Sequence, residues 1–261
     1  MDITSRRNPK VAWVRRLQRQ AAFRRRQQAW VVEGVRLAEE ALRAGAVVRA
    51  VFVTPDLPPR GRAVVQAWQA QGVPVYRVTG AVMAALSATE TPPGLLAVVA
   101  LAPRAWPARP DWVLVLDGVR DPGNLGTLLR TAWAAGVDGV ALVDCADPWA
   151  PKVVRAGMGA HWHVPLWRGA WAALAPRLQG MRVYVADMRG EQAYFDANWR
   201  GRVALVVGGE AHGASPEARR RATQTVSIPM PGGAESLNAA VAGGILLFEA
   251  VRQRWYGPGR E

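Results

Sequence analysis

From Ser5 to Trp30, apolar residues return at Val11, Val14, Leu17, Ala21 and Ala22 among nine basic residues and no acidic one, so the pattern predicts one basic amphipathic helix. The period then shortens. Apolar runs at Trp30 to Val32, Val47 to Val53, Val73 to Val78 and Leu95 to Leu101 read as strands, with helical stretches at Val35 to Arg43 and Ala63 to Gln71 between them. Together they describe a small α/β module. Pro103, Pro107 and Pro110 fall in a stretch with no apolar period, as in a linker, and place a domain boundary between residues 105 and 106.

In the second domain, 106–261, the runs Trp112 to Leu116, Val140 to Val143, Val183 to Ala186, Val203 to Val207 and Val226 to Pro229 lack polar alternation. Strands of that kind are buried on both faces, so an α/β fold with a parallel sheet flanked by helices is expected. A last helix is predicted from about Ser236 to Trp255. Gly243 and Gly244 in its middle each cost about 1 kcal/mol relative to Ala, which is tolerable where another backbone approaches closely.

Composition narrows the partner. Half of the 261 residues are hydrophobic and 20% are charged, which excludes a disordered tail. The formal net charge is +13, and Lys occurs only at Lys10 and Lys152. A polyanion such as nucleic acid or an anionic membrane is the expected partner, and the Arg fork grips phosphate and stacks on bases, a bias that suits RNA; DNA is not expected as a partner. GC-rich codon usage explains a preference for Arg over Lys but not the charge excess. The longest apolar run, Leu95 to Ala102, is too short to span a bilayer and no apolar signal segment is seen, so a cytoplasmic protein without membrane partners is expected. Cys145 is the sole cysteine, which excludes an intrachain disulfide and a Cys-based zinc site. His161 and His163, read as alternating on a short strand, suit packing or surface roles better than a metal, and no metal site is expected.

Phosphate-loop and dinucleotide fingerprints are absent. Three other segments stand at strand ends: Asp121-Pro-Gly-Asn-Leu-Gly126 with Arg130, Gly208-Gly-Glu-Ala-His-Gly213, and Ile228-Pro-Met230 leading to Ser236-Leu-Asn238. Ligands of open α/β sheets bind beyond the carboxyl ends of the strands, where these loops would lie. Singly, each is also turn chemistry. Glu210 could merely satisfy a loop amide, Ser236 could be the N-cap of the last helix, and Arg24, Arg25 and Arg26 could be a solvated face. Ser215-Pro216 is the better pure cap.

In order and spacing, the three segments resemble the motifs of the SpoU family, also called TrmH, of RNA 2′-O-ribose methyltransferases. The resemblance covers roughly residues 112 to 255, including the connecting segment Lys152-Val-Val-Arg-Ala-Gly-Met-Gly-Ala160. The stretch from Ser5-Arg-Arg-Asn-Pro9 through Val32-Glu-Gly34 is similar to the RNA-binding module that precedes the catalytic domain in ribosomal-RNA members. The resemblance implies a deep C-terminal trefoil knot, an exception to the rule against knots, preceded by a substrate-binding domain over 1–105. It implies S-adenosylmethionine as cofactor, a homodimer, and a structured RNA substrate, with large-subunit (23S) ribosomal RNA ahead of transfer RNA. A ribosomal-RNA-binding assembly factor without activity and an unrelated α/β nucleotide enzyme are the alternatives.

The same resemblance assigns the adenosine pocket to Gly208, Gly209, Ile228, Met230 and Leu237, and the reaction site to Asn124, Arg130, Glu210, Ser236 and Asn238. RNA contact falls to Arg6, Arg7, Lys10, Arg15, Arg24, Arg25 and Arg26. Methyl transfer to a hydroxyl is an in-line displacement that needs positioning, phosphate anchoring and proton removal. Arg130 is a poor general base, because a guanidinium stays charged, and is expected to orient ribose and phosphate and to stabilise the developing alkoxide. Two departures stand out: Ala239-Ala240 where the family usually has Val-Ser, and Gly157 where Ser is common.

Overall fold

A computed structural model describes residues Met1–Tyr256. In chain order the first elements are β1 (Asp2–Ile3), α1 (Pro9–Arg19), α2 (Ala21–Gln27), β2 (Ala29–Glu33), α3 (Val35–Arg43), β3 (Val48–Val53), α4 (Pro59–Ala70), β4 (Val75–Val78), α5 (Gly80–Leu86) and β5 (Leu95–Ala100). Then follow β6 (Trp112–Asp117), α6 (Pro122–Ala135), β7 (Gly139–Val143), α7 (Pro151–Gly157), α8 (Ala160–His163), β8 (Leu166–Arg168), α9 (Trp171–Leu174), β9 (Arg182–Ala186), β10 (Gln192–Ala193), β11 (Val203–Gly208), α10 (Pro216–Arg221), β12 (Gln224–Ser227) and α11 (Ala239–Trp255). Two compact units result. The first holds residues 1–103 and 149–162, the second residues 104–148 and those from 163 onward.

The first unit is built on a five-stranded sheet in the order β1-β4-β3-β5-β2, with β5 antiparallel to both its neighbours. Alternation along the strands sends Phe52, Leu96 and Val98 to one face, against Val11, Val14 and Leu17 of α1, and Val51, Ala97 and Val99 to the other, against Leu37, Ala41 and Trp68. The single helix expected over Ser5 to Trp30 is broken. Asn8 caps α1 by accepting from the Lys10 amide, Gln20 is extended (φ −120°, ψ 107°), and Gln28 ends α2 in the left-handed region. The break turns Phe23 into the core and leaves Ala22, expected inward, exposed.

Residues 149–162, expected in the second domain, belong to the first unit because their apolar side chains complete its core. Val154 is buried there, and Trp149 and Trp162 pack around it. The Trp30 ring lies 5.3 Å from His161 and 5.1 Å from Trp162. The histidines are therefore helical and not on a strand: His161 is buried beside Trp30, and in the second unit His163 stacks on Trp133 at 4.1 Å.

The second unit carries a seven-stranded, wholly parallel sheet in the order β10-β12-β9-β11-β6-β7-β8. Val113, Val115, Ala204 and Val206 face Trp171, Leu174 and Ala218 on one side. On the other, α11 packs against α6 and β11. A Cβ on Gly243 would overlap Leu128 of α6, so a side chain of the same chain accounts for that glycine, not an approaching backbone. The last helix starts at Ala239 rather than Ser236, with Asn238 as its cap. Among the described residues no helix is long and apolar enough to cross a membrane.

Candidate active site

Three strand ends of the parallel sheet build the site. The apolar strand β6 closes on Asp117, whose side chain is buried, and the chain re-enters a helix at Asp121, which caps α6 by accepting from the Asn124 amide at 2.8 Å. Pro122 at the first helical position fixes that entry. Asn124 thereby sits on the first turn of α6, at the carboxyl edge of the sheet. Strand β11 ends at Gly208 and enters a tight loop in which the Gly213 amide donates to the Gly209 carbonyl at 2.9 Å. A Cβ on Gly208 would overlap the backbone of Gly213 and Ala214, and one on Gly209 would overlap the Gly118 carbonyl. Here glycine is required so that the loop can close on itself and on the turn after β6.

Asp117 ties these two loops together. Its carbonyl accepts from the Gly209 amide at 2.9 Å, its Oδ2 from the Ser215 amide at 2.7 Å, and its Oδ1 from the Trp171 indole at 3.0 Å. The sequence reading missed this residue, yet it left a signal: a lone carboxylate closing a wholly apolar strand. Asp187, just past β9, repeats the signal. It accepts from the Arg189 amide and pairs with Arg219, which also donates Nε to the Ala214 carbonyl at 3.2 Å. Burial pushes the Asp187 carboxyl up, but the Arg189 amide and the Arg219 guanidinium outweigh it and hold it below its ordinary value.

After β12 the chain runs through Ile228, Met230 and Leu237 to Asn238, whose Oδ1 accepts from the amides of Ala240 at 2.9 Å and Val241 at 3.2 Å. With its oxygen committed, the Asn238 side chain presents Nδ2 outward and donates to Asn124 Oδ1 at 3.0 Å. Asn124 in turn donates Nδ2 to Glu210 Oε1 at 2.6 Å. A directed chain of amide groups thus joins all three motifs and ends on a carboxylate.

Beside this chain lies a cavity of about 720 Å³, within the range of roughly 300–1,000 Å³ usual for small-molecule sites. Gly208, Gly209, Ile228, Met230 and Leu237 all line it, as do Glu210, Ser236 and Asn238. Asn124 reaches this wall through its two hydrogen bonds. Arg130 stands apart from the cavity, exposed on α6, and among the described residues no ion pair or hydrogen bond engages its guanidinium. Ser236 is exposed and does not cap the helix. Cys145 supplies no nucleophile, because burial pushes its thiol up to about 11.

Of the residues assigned to RNA contact, Arg7, Lys10, Arg25 and Arg26 are exposed on the first unit, Arg15 is half-buried, and Arg6 donates to the Ala81 carbonyl at 3.1 Å. Arg24 does not belong with them. It is 4% exposed and its Nη1 donates to the carbonyls of Leu17 at 2.6 Å and Gln18 at 3.1 Å, which the break between α1 and α2 leaves open. It holds the helix corner and is out of reach of a polyanion.

Comparison with known proteins adds the following. Residues 111–248 match the model of the SpoU rRNA Methylase family, and residues 8–97 that of the MRM3-like substrate binding domain. The chain is 34% identical to an uncharacterized tRNA/rRNA methyltransferase of Synechocystis, over 97% of this chain and 94% of that protein. It is 32% identical to the 23S rRNA (guanosine(2553)-2′-O)-methyltransferase RlmP of Bacillus subtilis, over 86% and 89%. The AdoMet-bound rRNA methyltransferase of Sinorhizobium meliloti superposes with a TM-score of 0.86 at 30% identity, covering 97% of this chain and 98% of that one.

Proposed function

Because the chain belongs to the SpoU rRNA methylase family, we propose that it transfers the methyl group of S-adenosylmethionine to a ribose 2′-hydroxyl of large-subunit (23S) ribosomal RNA. The observation that carries this reading is the hydrogen-bonded chain Asn238–Asn124–Glu210 at the rim of a cavity lined by all five residues assigned to the cofactor.

The cavity suits S-adenosylmethionine in shape and charge. Ile228, Met230 and Leu237 offer an apolar wall to adenine, and Gly208 and Gly209 let the main chain approach closely at the strand end with no side chain in between. Asp187 is balanced there by Arg219, which leaves the carboxylates of Glu210 and Glu235 along the same space to favour a cationic ligand. Bound there, the cofactor supplies an electrophilic methyl carbon. The fixed amides of Asn124 and Asn238 and the carboxylate of Glu210 then orient the reacting groups without rearrangement. Arg130, exposed and without an ion pair or hydrogen bond to its guanidinium among the described residues, holds the RNA phosphate and stabilises the alkoxide that develops on the ribose. Ser236 contributes a hydroxyl at the cavity mouth.

The distribution of charge supports RNA as substrate. The first unit carries 17 of the 33 basic residues but only 6 of the 20 acidic ones, and so +11 of the net +13. Affinity for RNA therefore lies with the first unit, and methyl transfer with the second. The path from β12 back to α11, which packs on α6 and β11, supports the deep trefoil knot that the family implies. The chain acts as a homodimer through α11, on which Val241, Phe248 and Trp255, spaced seven residues apart, are 51%, 49% and 58% exposed. It works in the cytoplasm, where ribosomal RNA is found. Calorimetric titration with S-adenosylmethionine tests the pocket: one site per chain supports the reading, and absence of binding overturns it.

A further inference from the structure

The basic residues of the first unit are not spread evenly: two of them share the Phe23 ring of α2, and a third is tied to the end of the same helix. The guanidinium of Arg16 lies 4.0 Å from the centre of the Phe23 ring and that of Arg26 lies 5.1 Å from it, so one ring positions two cations by cation–π contact. Arg49 joins them from β3. Its Nη1 donates to the Gln27 carbonyl at 2.7 Å, next to Arg26. The register of β3 against β5 slips between Val48 and Ala50, which makes Arg49 the extra residue of a bulge, a device that re-aims a side chain. Two departures from regular backbone accompany this bond: the bulge at Arg49 and, next to Gln27, the left-handed Gln28 (φ 46°) that ends α2. All three arginines are exposed, and among the described residues none makes an ion pair. Elsewhere on the same unit Arg43 pairs with Glu40 and Arg60 with Glu39.

Two guanidinium groups on one ring, with a third fixed at the end of the same helix and no ion pair to any of them among the described residues, repel one another, and an approaching anion relieves that repulsion. Each is fixed by a ring or a carbonyl, so little side-chain freedom remains to be lost on binding, and each keeps N–H donors for phosphate oxygens. Trp13, whose indole donates to Gln27 Oε1 at 3.1 Å, borders the cluster. We propose that Arg16, Arg26 and Arg49 form a docking site for consecutive phosphates of the substrate RNA. This rests on the reading of the chain as an RNA methyltransferase. It shifts the RNA contact toward two arginines, Arg16 and Arg49, that the basic pattern of the sequence did not single out.

The test is a salt titration of binding to ribosomal RNA fragments by the full chain. Comparators are the triple variant Arg16→Gln/Arg26→Gln/Arg49→Gln and a control, Arg43→Gln/Arg60→Gln, which removes carboxylate-paired charges from the same unit. The triple variant should bind at least about tenfold more weakly near 0.1 M salt, with a log–log salt slope shallower by about 2 to 3. The control should stay within about twofold, and S-adenosylmethionine affinity should hold in both. If the triple variant melts early, Arg16→Lys/Arg26→Lys/Arg49→Lys replaces it: it should keep the slope and lose affinity, since a point charge lacks the fork. A triple variant with wild-type affinity and slope overturns this site alone. Wild-type protein that binds no RNA overturns the site together with the reading beneath it.

Discussion

Nδ2 of Asn238 donates to Oδ1 of Asn124 at 3.0 Å, across 114 residues of chain. The bond has a fixed direction because Asn238 uses its own oxygen to cap α11. One residue thus closes a helix end and positions its neighbour, and the two roles separate by substitution. Asn238→Asp keeps a good cap and should melt within a degree or two of wild type, yet it cannot donate to Asn124, so turnover should fall at least about tenfold. Asn238→Ala loses both roles and about 1 kcal/mol of stability. Thermal melting beside single-turnover methyl transfer checks the pair, and an active Asn238→Asp would refute the positioning role.

Asp117 is expected to act on cofactor affinity through the loop it holds. Asp117→Asn replaces one acceptor by an N–H donor, facing either the Ser215 amide or the Trp171 indole, both of which already donate. The mismatch should cost about 1–3 kcal/mol of stability and weaken S-adenosylmethionine binding. Calorimetry on the folded variant measures the second effect, and unchanged affinity would confine Asp117 to a structural role.

For Arg24 the structure predicts loss of stability rather than of RNA affinity per folded molecule. Arg24→Ala leaves the buried carbonyls of Leu17 and Gln18 without their donor and should lower the unfolding free energy by about 2 kcal/mol or more. Chemical denaturation gives this number. The salt slope of RNA binding should stay at the wild-type value, whereas an Arg24 that bound phosphate would make it shallower.

Much of this was legible in the chain. The unbroken apolar runs from Trp112 onward gave the parallel sheet, because a strand covered on both faces admits no polar alternation. The three turn-rich segments at strand ends gave the cavity and its polar rim. What was hidden depended on distant partners. Gln20 is as acceptable inside a helix as at a break, so only Phe23 finding the core decides the corner, and Arg24 looks like its neighbours until that corner forms. Trp149, Val154 and Trp162 carried no sign of the unit they complete. Edge strands as short as β1, β8 and β10 show no period. Deletion of residues 1–105 would strip the core around Val154, so charge substitutions test the RNA surface more cleanly than truncation.

Arg130 separates anchoring from folding. Exposed, and without an ion pair among the described residues, it can be removed without structural loss, so Arg130→Ala should melt normally and bind S-adenosylmethionine normally. Turnover should fall about a hundred- to a thousand-fold, the usual cost of one preorganised contact at a reacting centre. Arg130→Lys should rescue little. Near-normal turnover in Arg130→Ala would remove it from the reaction site.

The most direct measurement of the central claim uses purified protein, ribosomal RNA and S-adenosylmethionine labelled on the methyl group. A methyl on the 2′-oxygen blocks alkaline cleavage of the adjacent phosphodiester, so after complete alkaline hydrolysis the label should appear in a single resistant dinucleotide, and the Arg130→Ala protein should leave almost none. Label recovered in a mononucleotide, and hence on a base, or no label at all, would contradict the assignment.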